Sequence, residues 1–442
     1  MKLNFFFILF ILIFIFKIFY FFLIQNNGDF MVADSNSYLN IAKDIFVNNN
    51  FIVSTSRTFV YPLFIKIIFV LFEENIIFVL FAQLILSLLT CLLIYKISLK
   101  FFDKQIYSLI LLFIYGIEPI TNIFVFKLST EILFTFFLIL LLFSFIKFIE
   151  SKKHKTKILF LTISYLLLFL LPNTRPIATY YSIIVMIFTV VSLYSYFNFK
   201  ILITIIYSFI LIIGFILISQ YSNKFIYKKL NYPEITNVAE LNFVEYYLTN
   251  SILIKEKLDI ETARNEAKKR FYIYKNDEIK INKNSVFGYI VTNYDYFILS
   301  VLESSIKLIF DPGDGLMIRN LYNNNIQYSG KSIDFHEMSK IEFLKKWYFN
   351  FNDKIISMIF TLSIIIIIFK FIFINISIVK NILYNFNITK ALILITFIYF
   401  IFFSLGMQTN ARFRIPIEPL IILFSIDGIR FILNKLYFYE NN

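Results

Sequence analysis

Cysteine and histidine are almost missing from this chain of 442 residues, which has one cysteine and two histidines. A single cysteine, Cys91, excludes a disulfide within the chain. With only His154 and His336 beside it, a zinc site built from cysteine and histidine is excluded as well. A divalent metal held by carboxylates stays open, and no cofactor is predicted.

Charge is also scarce. Only 16% of the residues are charged, whereas 59% are hydrophobic and 20% are aromatic, a balance that a water-soluble domain of this length could not hide from solvent. The net charge of +13 arises from short basic stretches between apolar runs rather than from one basic face. We therefore predict an integral membrane protein with no nucleic-acid partner.

Apolar runs long enough to cross about 30 Å of hydrocarbon recur along the chain and predict about ten membrane-spanning helices. They lie near residues 3–24, 75–97, 104–126, 129–149, 157–172, 176–198, 201–220, 354–377, 390–406 and 413–434. The run 104–126 could be broken at Gly116 and Pro119. Residues 58–72 are apolar but too short for a full crossing, which predicts a re-entrant or juxtamembrane helix.

Lysine is concentrated in alternate loops, which under the positive-inside rule places both termini in the cytoplasm. These lysines are Lys96, Lys100, Lys104, Lys147, Lys152, Lys153, Lys155, Lys157, Lys200, Lys380 and Lys390. We predict a multi-pass protein of a bacterial inner membrane.

Three parts follow from this topology. We predict an N-terminal membrane domain at residues 1–220, with its first outer loop at 25–73, then an extracytoplasmic segment at 221–352 and C-terminal membrane helices at 353–442. Within the long segment, the charge pattern of 255–274 predicts an exposed helix. The apolar pattern of 285–310 predicts a helix lying along the membrane surface.

Charged residues beside span ends are the candidates for chemistry, because charge at membrane depth is costly. They occur in short motifs that share one predicted side: Ala33-Asp34-Ser-Asn-Ser-Tyr38, Arg57-Thr-Phe-Val-Tyr61-Pro62-Leu63, Leu128-Ser129-Thr130-Glu131, Asn173-Thr174-Arg175-Pro176 and Ala411-Arg412-Phe413-Arg414-Ile415-Pro416. Taken singly, Asp34 is more typical of a helix N-cap than of a catalytic base. The arginines are equally typical of snorkelling side chains, or of salt bridges to Glu118 or Glu131.

In this order, the motifs resemble those of the GT-C superfamily of membrane glycosyltransferases. They are most similar to the branch that contains protein O-mannosyltransferases and the aminoarabinose transferase of lipid A. The resemblance extends over about residues 30–420 and implies an all-α, GT-C-like bundle. One departure is that many members have two adjacent acidic residues in the first loop, where this chain has Asp34-Ser35.

The resemblance implies transfer of a hexose or pentose from a polyprenyl-phosphate donor, with inversion, to a lipid, glycan or protein acceptor, with no metal required. A lipid phosphate leaves as a stable anion, so one base and several cations suffice. Asp34 is the predicted general base. Arginine suits the donor phosphate because its planar fork makes two charge-assisted hydrogen bonds; the predicted ligands are Arg175, Arg412, Arg414 and Arg57. Cavity or supporting roles are predicted for Tyr38, Tyr61, Glu118 and Glu131.

Two alternatives stay open. An O-antigen or polysaccharide polymerase would take a lipid-diphosphate glycan as its donor. A flippase or transporter of lipid-linked glycans would also be polytopic, but its charged residues would be expected within spans, whereas here the charges are predicted to lie at span ends.

Overall fold

The computed structural model describes residues 2–27, 29–44, 58–196, 205–206, 209, 213, 241, 243–275, 278–311, 313, 354–383, 387–405 and 411–440. The N-terminal part contains α1 (Lys2–Asn27), α2 (Ser35–Asp44), α3 (Val60–Phe72), α4 (Ile76–Phe101), α5 (Gln105–Gly116), α6 (Pro119–Val125), α7 (Glu131–Glu150), α8 (His154–Thr174), a 3-10 turn (Pro176–Ala178) and α9 (Tyr181–Tyr196).

The outer segment, residues 243–311, contains a π-helix (Phe243–Leu248), α10 (Thr249–Glu256), α11 (Ile260–Phe271), β1 (Tyr272–Lys275), β2 (Glu278–Ile281), α12 (Lys283–Thr292) and α13 (Tyr294–Phe310). The C-terminal part contains α14 (Lys354–Leu383), α15 (Ile388–Phe403), α16 (Ala411–Arg414), a 3-10 turn (Ile415–Ile417) and α17 (Glu418–Glu440).

Six helices in the described ranges are long and apolar enough to cross a membrane, which confirms a mostly helical, multi-pass membrane protein. These spans are Phe5–Asn26, Ile76–Phe101, Glu131–Glu150, His154–Thr174, Pro176–Tyr194 and Thr361–Asn381. The pair α5 and α6, bent by 58°, adds a seventh if it counts as one span. The bend falls between Gly116 and Pro119, where a break was predicted.

The predicted count of ten spans is not confirmed. The run 201–220 lies outside the described residues except for positions 205, 206, 209 and 213. The run 390–406 corresponds to α15, which has 16 residues. The run 413–434 corresponds to α17, whose apolar sequence is interrupted by the buried side chains of Asp427 and Arg430.

The bundle core is built from apolar faces of the long helices, with α7 packed on α4 and α8, and α14 packed on α17. Gly428 permits a close approach of α14 and α17. A Cβ atom at this position would lie 2.0 Å from the carbonyl oxygen of Phe373, so α14 and α17 meet backbone to backbone. On the outside, residues such as Ile8, Ile85 and Leu166 are more than half exposed, as expected of a lipid-facing surface.

Two ion pairs join chain segments at one end of the described bundle. At this end, Lys100 forms an ion pair with Glu150 at 3.1 Å. Arg430 pairs with Asp103 at 2.9 Å at that same end, so these neighbouring loops, predicted to be cytoplasmic, meet. The motif residues of the first outer loop meet other chain segments at the opposite end, as described below.

Helix α3 has 13 residues and is too short to cross about 30 Å of hydrocarbon. One face is buried, including Tyr61, Ile65 and Phe69. The opposite face exposes Val70 and Leu71, at 74% and 65%. Its length and its two faces are those expected of the predicted re-entrant or juxtamembrane helix.

The helix predicted over 255–274 is divided in the structure. Helix α10 ends at Glu256, and Lys257 adopts a left-handed conformation with φ 52°. Asp259 then caps α11, because its carboxylate accepts the amides of Glu261 and Thr262, both at 3.0 Å. The residues after α11 form the antiparallel β1–β2 hairpin, in which Tyr272 pairs with Ile281, a feature that was not predicted.

The helix predicted over 285–310 is two helices, α12 and α13, that meet at Asn293. Helix α13 has an inverted pattern, with Ser300 and Ser304 facing inward and buried. The amide of Asn250 donates to the Ser300 hydroxyl at 2.9 Å. The exposed face is apolar and includes Ile298, Leu302 and Ile306, which are 52%, 54% and 59% exposed. Contact of this face with a membrane stays a prediction.

Candidate active site

Asp34 immediately precedes α2, in a loop that is anchored to the segment before α7. The hydroxyl of Ser35 is buried; it donates to the carbonyl of Leu128 at 2.7 Å and accepts the amide of Val32 at 2.7 Å. The Leu128 amide in turn donates to the carbonyl of Phe30 at 2.9 Å. These bonds on both sides of Asp34 fix its backbone beside the start of α7.

A second layer of contacts supports the segment before α7. Gln83 of α4 donates from its amide nitrogen to the carbonyls of Val125 and Lys127, both at 2.8 Å. Its amide oxygen accepts the hydroxyl of Tyr61 at 2.7 Å. The ring of Tyr61 also packs edge-on against Tyr38, with centroids 5.0 Å apart. Tyr61 is therefore a buried supporting residue, whereas Tyr38 reaches the cavity described below.

Glu131, the first residue of α7, joins two arginines that are distant in sequence. Its Oε1 atom accepts Arg412 Nε at 2.5 Å and lies 3.6 Å from NH1 of Arg175. Arg412 also donates through NH2 to Asp34 Oδ2 at 3.3 Å. The Glu131 side chain is wholly buried, so the arginines lie over a carboxylate that solvent does not reach. The structure thus brings together four of the predicted site residues.

Aromatic rings hold the two guanidinium groups in place. The Arg175 guanidinium lies 5.8 Å from the centroid of the Phe134 ring and 5.7 Å from that of the Phe413 ring. The Arg412 guanidinium lies 5.7 Å from the ring of Phe124. Such cation–π contacts favour a charged arginine where water is partly excluded.

Arg412 keeps its charge at any working pH. Burial disfavours the cation, but the carboxylates of Glu131 and Asp34 outweigh that effect and raise the pKa of Arg412 above its ordinary value. Arg412 therefore remains positively charged in its ion pairs with Glu131 and Asp34.

A cavity of about 820 Å³ opens beside these charges. Its inner wall includes Asp34, Arg175 and Arg412, whose side chains are 23%, 15% and 20% exposed. Its outer wall comes from the outer segment and includes Tyr246 of the π-helix and Phe287 of α12. Among the described residues, the charged ones that line this cavity are the carboxylates Asp34 and Glu245 and the cations Arg175, Arg412 and Lys283. The space is large enough for a phosphate ester and a second molecule.

Arg414 does not line this cavity, although a phosphate-binding role was predicted for it. Only 2% of the residue is exposed. Its Nε donates to Glu418 Oε2 at 2.9 Å, and its NH1 donates to three backbone carbonyls at the end of α13. The Arg414 side chain therefore joins α16 to α17 and to the end of α13. Arg57, the fourth arginine predicted to bind phosphate, lies outside the described residues.

Glu118 also lies away from the cavity rather than in it. Its carboxylate caps α6 by accepting the amide of Thr121 at 2.6 Å, and it lies 3.9 Å from Nζ of Lys370. Lys370 forms its closer ion pair with Glu418. Glu118 thus belongs to a buried charge network that continues through Lys370 and Glu418 to Arg414.

Several buried charges lie within long helices, contrary to the expectation that charges lie at span ends. Lys17 of α1 is wholly buried and donates to Asn122 Oδ1 at 2.6 Å. Lys370 is buried in α14. Farther along α14, Lys380 pairs with Asp427 of α17 at 2.8 Å. In the sequence, each of these lysines interrupts an apolar run, and that interruption was the one sign of a buried charge.

In the part of the chain that the structure describes, no three histidine, cysteine, aspartate or glutamate residues lie close enough to hold a metal ion.

Fold and site together define a multi-pass helical membrane protein with a charged cavity at one end of its bundle. No family model matches the chain, and a search of curated proteins finds no match either.

Proposed function

We propose that the protein is a glycosyltransferase that moves a sugar from a polyprenyl-phosphate donor to an acceptor on the outer face of a bacterial inner membrane. The observation that carries the proposal is the convergence of Asp34, Arg175 and Arg412 on one cavity beside the ends of apolar helices. A lipid-linked substrate needs such a place, where its tail stays in lipid and its polar head meets water.

The two arginines suit the donor phosphate. Each is held from beneath by Glu131 and is partly exposed toward the cavity. A phosphate oxygen approaching from the cavity would meet two permanent cations at once, and charge-assisted hydrogen bonds to phosphate are among the strong ones. The same cations would stabilise the negative charge that grows on the leaving phosphate.

Two carboxylates in the described ranges line the cavity, and Asp34 suits the general base because it is the one that contacts Arg412, whereas Glu245 contacts Lys268 and Tyr272 of the outer segment. The contact of Asp34 with Arg412, at 3.3 Å, is a loose one. A donor phosphate that drew Arg412 toward itself would release the carboxylate for an acceptor hydroxyl. Base and leaving group would then be held within a few ångströms of each other, which is the geometry that proximity catalysis requires.

The proposed reaction is a single displacement. The acceptor oxygen forms a bond to the anomeric carbon, its proton passes to the Asp34 carboxylate, and the bond from that carbon to the phosphate oxygen breaks. The lipid phosphate leaves with the electron pair, and the anomeric configuration inverts. One carboxylate suffices, in contrast to glycoside hydrolysis, where two are normally paired.

A second candidate, transport of a lipid-linked glycan, is favoured by a specific observation. Lys17, Glu118 and Lys370 are buried between long apolar helices, where ionisable groups often mark a transport path. Against it, these groups do not line the cavity, and each is already held by a neighbouring group: Lys17 by Asn122, Glu118 by the Thr121 amide, and Lys370 by Glu418. A polymerase would use the same arginines but would need a lipid diphosphate as its donor.

One experiment separates the three functions. Purified protein in nanodiscs is given polyprenyl-monophosphate sugars, the matching lipid diphosphates, and a lysate of candidate acceptors, and donor consumption is followed by mass spectrometry. The proposal expects consumption of a monophosphate donor and release of polyprenyl phosphate. Consumption of diphosphate donors alone would favour the polymerase. Movement of intact donor across proteoliposomes without consumption would favour the transporter.

A further inference from the structure

The end of α13 and the start of α16 cap each other. The last carbonyls of a helix lack partners within that helix. At the end of α13, NH1 of Arg414 satisfies the carbonyls of Leu308, Ile309 and Asp311, at 3.1, 3.0 and 2.9 Å. In return, the Asp311 carboxylate accepts the amide of Ala411, the first residue of α16, at 2.8 Å.

The turn after α13 is packed tightly into this contact. Asp311 also accepts the amide of Gly313 at 2.8 Å through its other oxygen. Gly313 has φ +73°, and a Cβ atom there would lie 2.3 Å from Ile120 and 3.2 Å from the Cβ of Ala411. The outer segment is thus joined at one point to the short helix that carries Arg412.

Arg414 anchors the same point to the bundle. Its Nε donates to Glu418 Oε2 at 2.9 Å, and Glu418 is paired with Lys370. All three side chains are buried, so the bonds are shielded from water. Residues 411 and 414, on either side of Arg412, are therefore both fixed.

We propose that Asp311 and Arg414 are positioning residues that hold Arg412 between Asp34 and Glu131. The outer segment then completes the candidate active site through α16, besides forming the cavity's outer wall. The catalytic consequence rests on the proposed function, whereas the positioning itself does not.

The test uses Asp311→Ala, because the Asp311 side chain is only partly buried and its loss is less of a threat to folding than loss of Arg414. Hydrogen exchange of the full-length protein in nanodiscs reads the Ala411 amide directly. We expect exchange at this amide to quicken by about tenfold in Asp311→Ala.

Two further variants serve as controls. Asp311→Asn, which keeps one accepting oxygen, should give a smaller increase. Asp295→Ala, which removes an exposed carboxylate from the same helix, should leave exchange unchanged. Unchanged exchange in Asp311→Ala would overturn the proposal.

A double-mutant cycle on donor consumption tests the catalytic consequence. If Asp311 acts through Arg412, Asp311→Ala raises the donor KM in the wild-type background and has no further effect in Arg412→Ala. Losses that multiply in the double variant would contradict a role through Arg412. If the wild type consumes no donor, the proposed function has failed, and the exchange experiment alone decides the positioning.

Discussion

Arg412 donates a hydrogen bond to Asp34 at 3.3 Å although the two residues are 378 positions apart in the chain. Two ends of the sequence thus meet at one carboxylate, and Glu131 contacts the same arginine at 2.5 Å. Asp34, Arg175 and Arg412 all line one cavity. We therefore take this contact as the centre of the proposed site.

Glu131 is predicted to be the main stabilising residue of the charge cluster. Glu131→Gln leaves two arginines without their shared buried carboxylate, and breaking such a pair costs about 3 kcal/mol, less the relief from their partial exposure. We expect a clear fall in melting temperature, measured in detergent. The matched control is Glu150→Gln, which breaks an exposed ion pair with Lys100 and should change little. Equal melting temperatures for the two variants would refute this role.

Two tyrosines test the support beneath the first outer loop. Tyr61→Phe removes the hydroxyl that donates to Gln83 and leaves a buried acceptor unsatisfied, which should cost about 1–3 kcal/mol. Tyr20→Phe is the control, since among the described residues the buried Tyr20 hydroxyl has no hydrogen-bond partner. Thermal unfolding should show a loss for Tyr61→Phe alone. A larger loss for Tyr20→Phe would contradict the assignment.

Two glycines test the packing of the bundle. Gly428→Ala places a Cβ atom 2.0 Å from the carbonyl oxygen of Phe373 and must push α14 and α17 apart. Gly288→Ala, in α12, meets no atom within 4 Å and should stabilise the helix by about 0.5–1 kcal/mol. We expect Gly428→Ala to reduce the yield of folded protein and Gly288→Ala to preserve it, as judged by size-exclusion chromatography. A higher yield of folded protein for Gly428→Ala than for Gly288→Ala would contradict the close approach of α14 and α17.

The outer segment should lose stability in acid. Glu256 accepts two hydrogen bonds from Arg270, at 2.7 and 3.0 Å, and this contact lowers the pKa of Glu256 below its ordinary value of 4.5. A lowered carboxylate pKa contributes stability above the unfolded pKa, and the contribution is lost as the pH falls through the folded pKa. Proteolytic protection of residues 249–271 should therefore decline below about pH 4.5, with a smaller decline in Glu256→Gln. Identical pH profiles for the two proteins would exclude the contribution of this pair.

The site was predictable where charge stands beside a span end. Asp34, Glu131, Arg175 and Arg412 each follow or precede an apolar run, and the resemblance of their motifs to those of GT-C glycosyltransferases grouped them on one predicted side. Arg414 could not be separated from Arg412 on that basis. In a helix, residues two apart point about 200° away from each other, so only one of the two can face the cavity. Arg414 faces the end of α13 and Arg412 faces the cavity. The position of α13 decides this, and it cannot be predicted from the motif.

The support of the site was hidden for a different reason. Gln83 lies within the apolar run of α4, where a single amide looks like a tolerated polar residue. Lys17 and Lys370 stand within apolar runs, which indicates that each has a buried partner. No local motif identifies those partners. The β1–β2 hairpin follows a highly charged helix, and its four-residue strands are too short for their alternation to stand out.

The most direct test of the central claim compares wild type, Asp34→Asn and the control Asp295→Asn in nanodiscs, measuring both binding and consumption of the polyprenyl-monophosphate sugar that the wild type uses. Asn keeps the size of the side chain and cannot take a proton from the acceptor. The account predicts that Asp34→Asn binds the donor as the wild type does but consumes it at least about 100-fold more slowly, whereas Asp295→Asn is unchanged. Consumption by Asp34→Asn at the wild-type rate would contradict the account and leave Asp34 as a residue that only holds Arg412 and the start of α2.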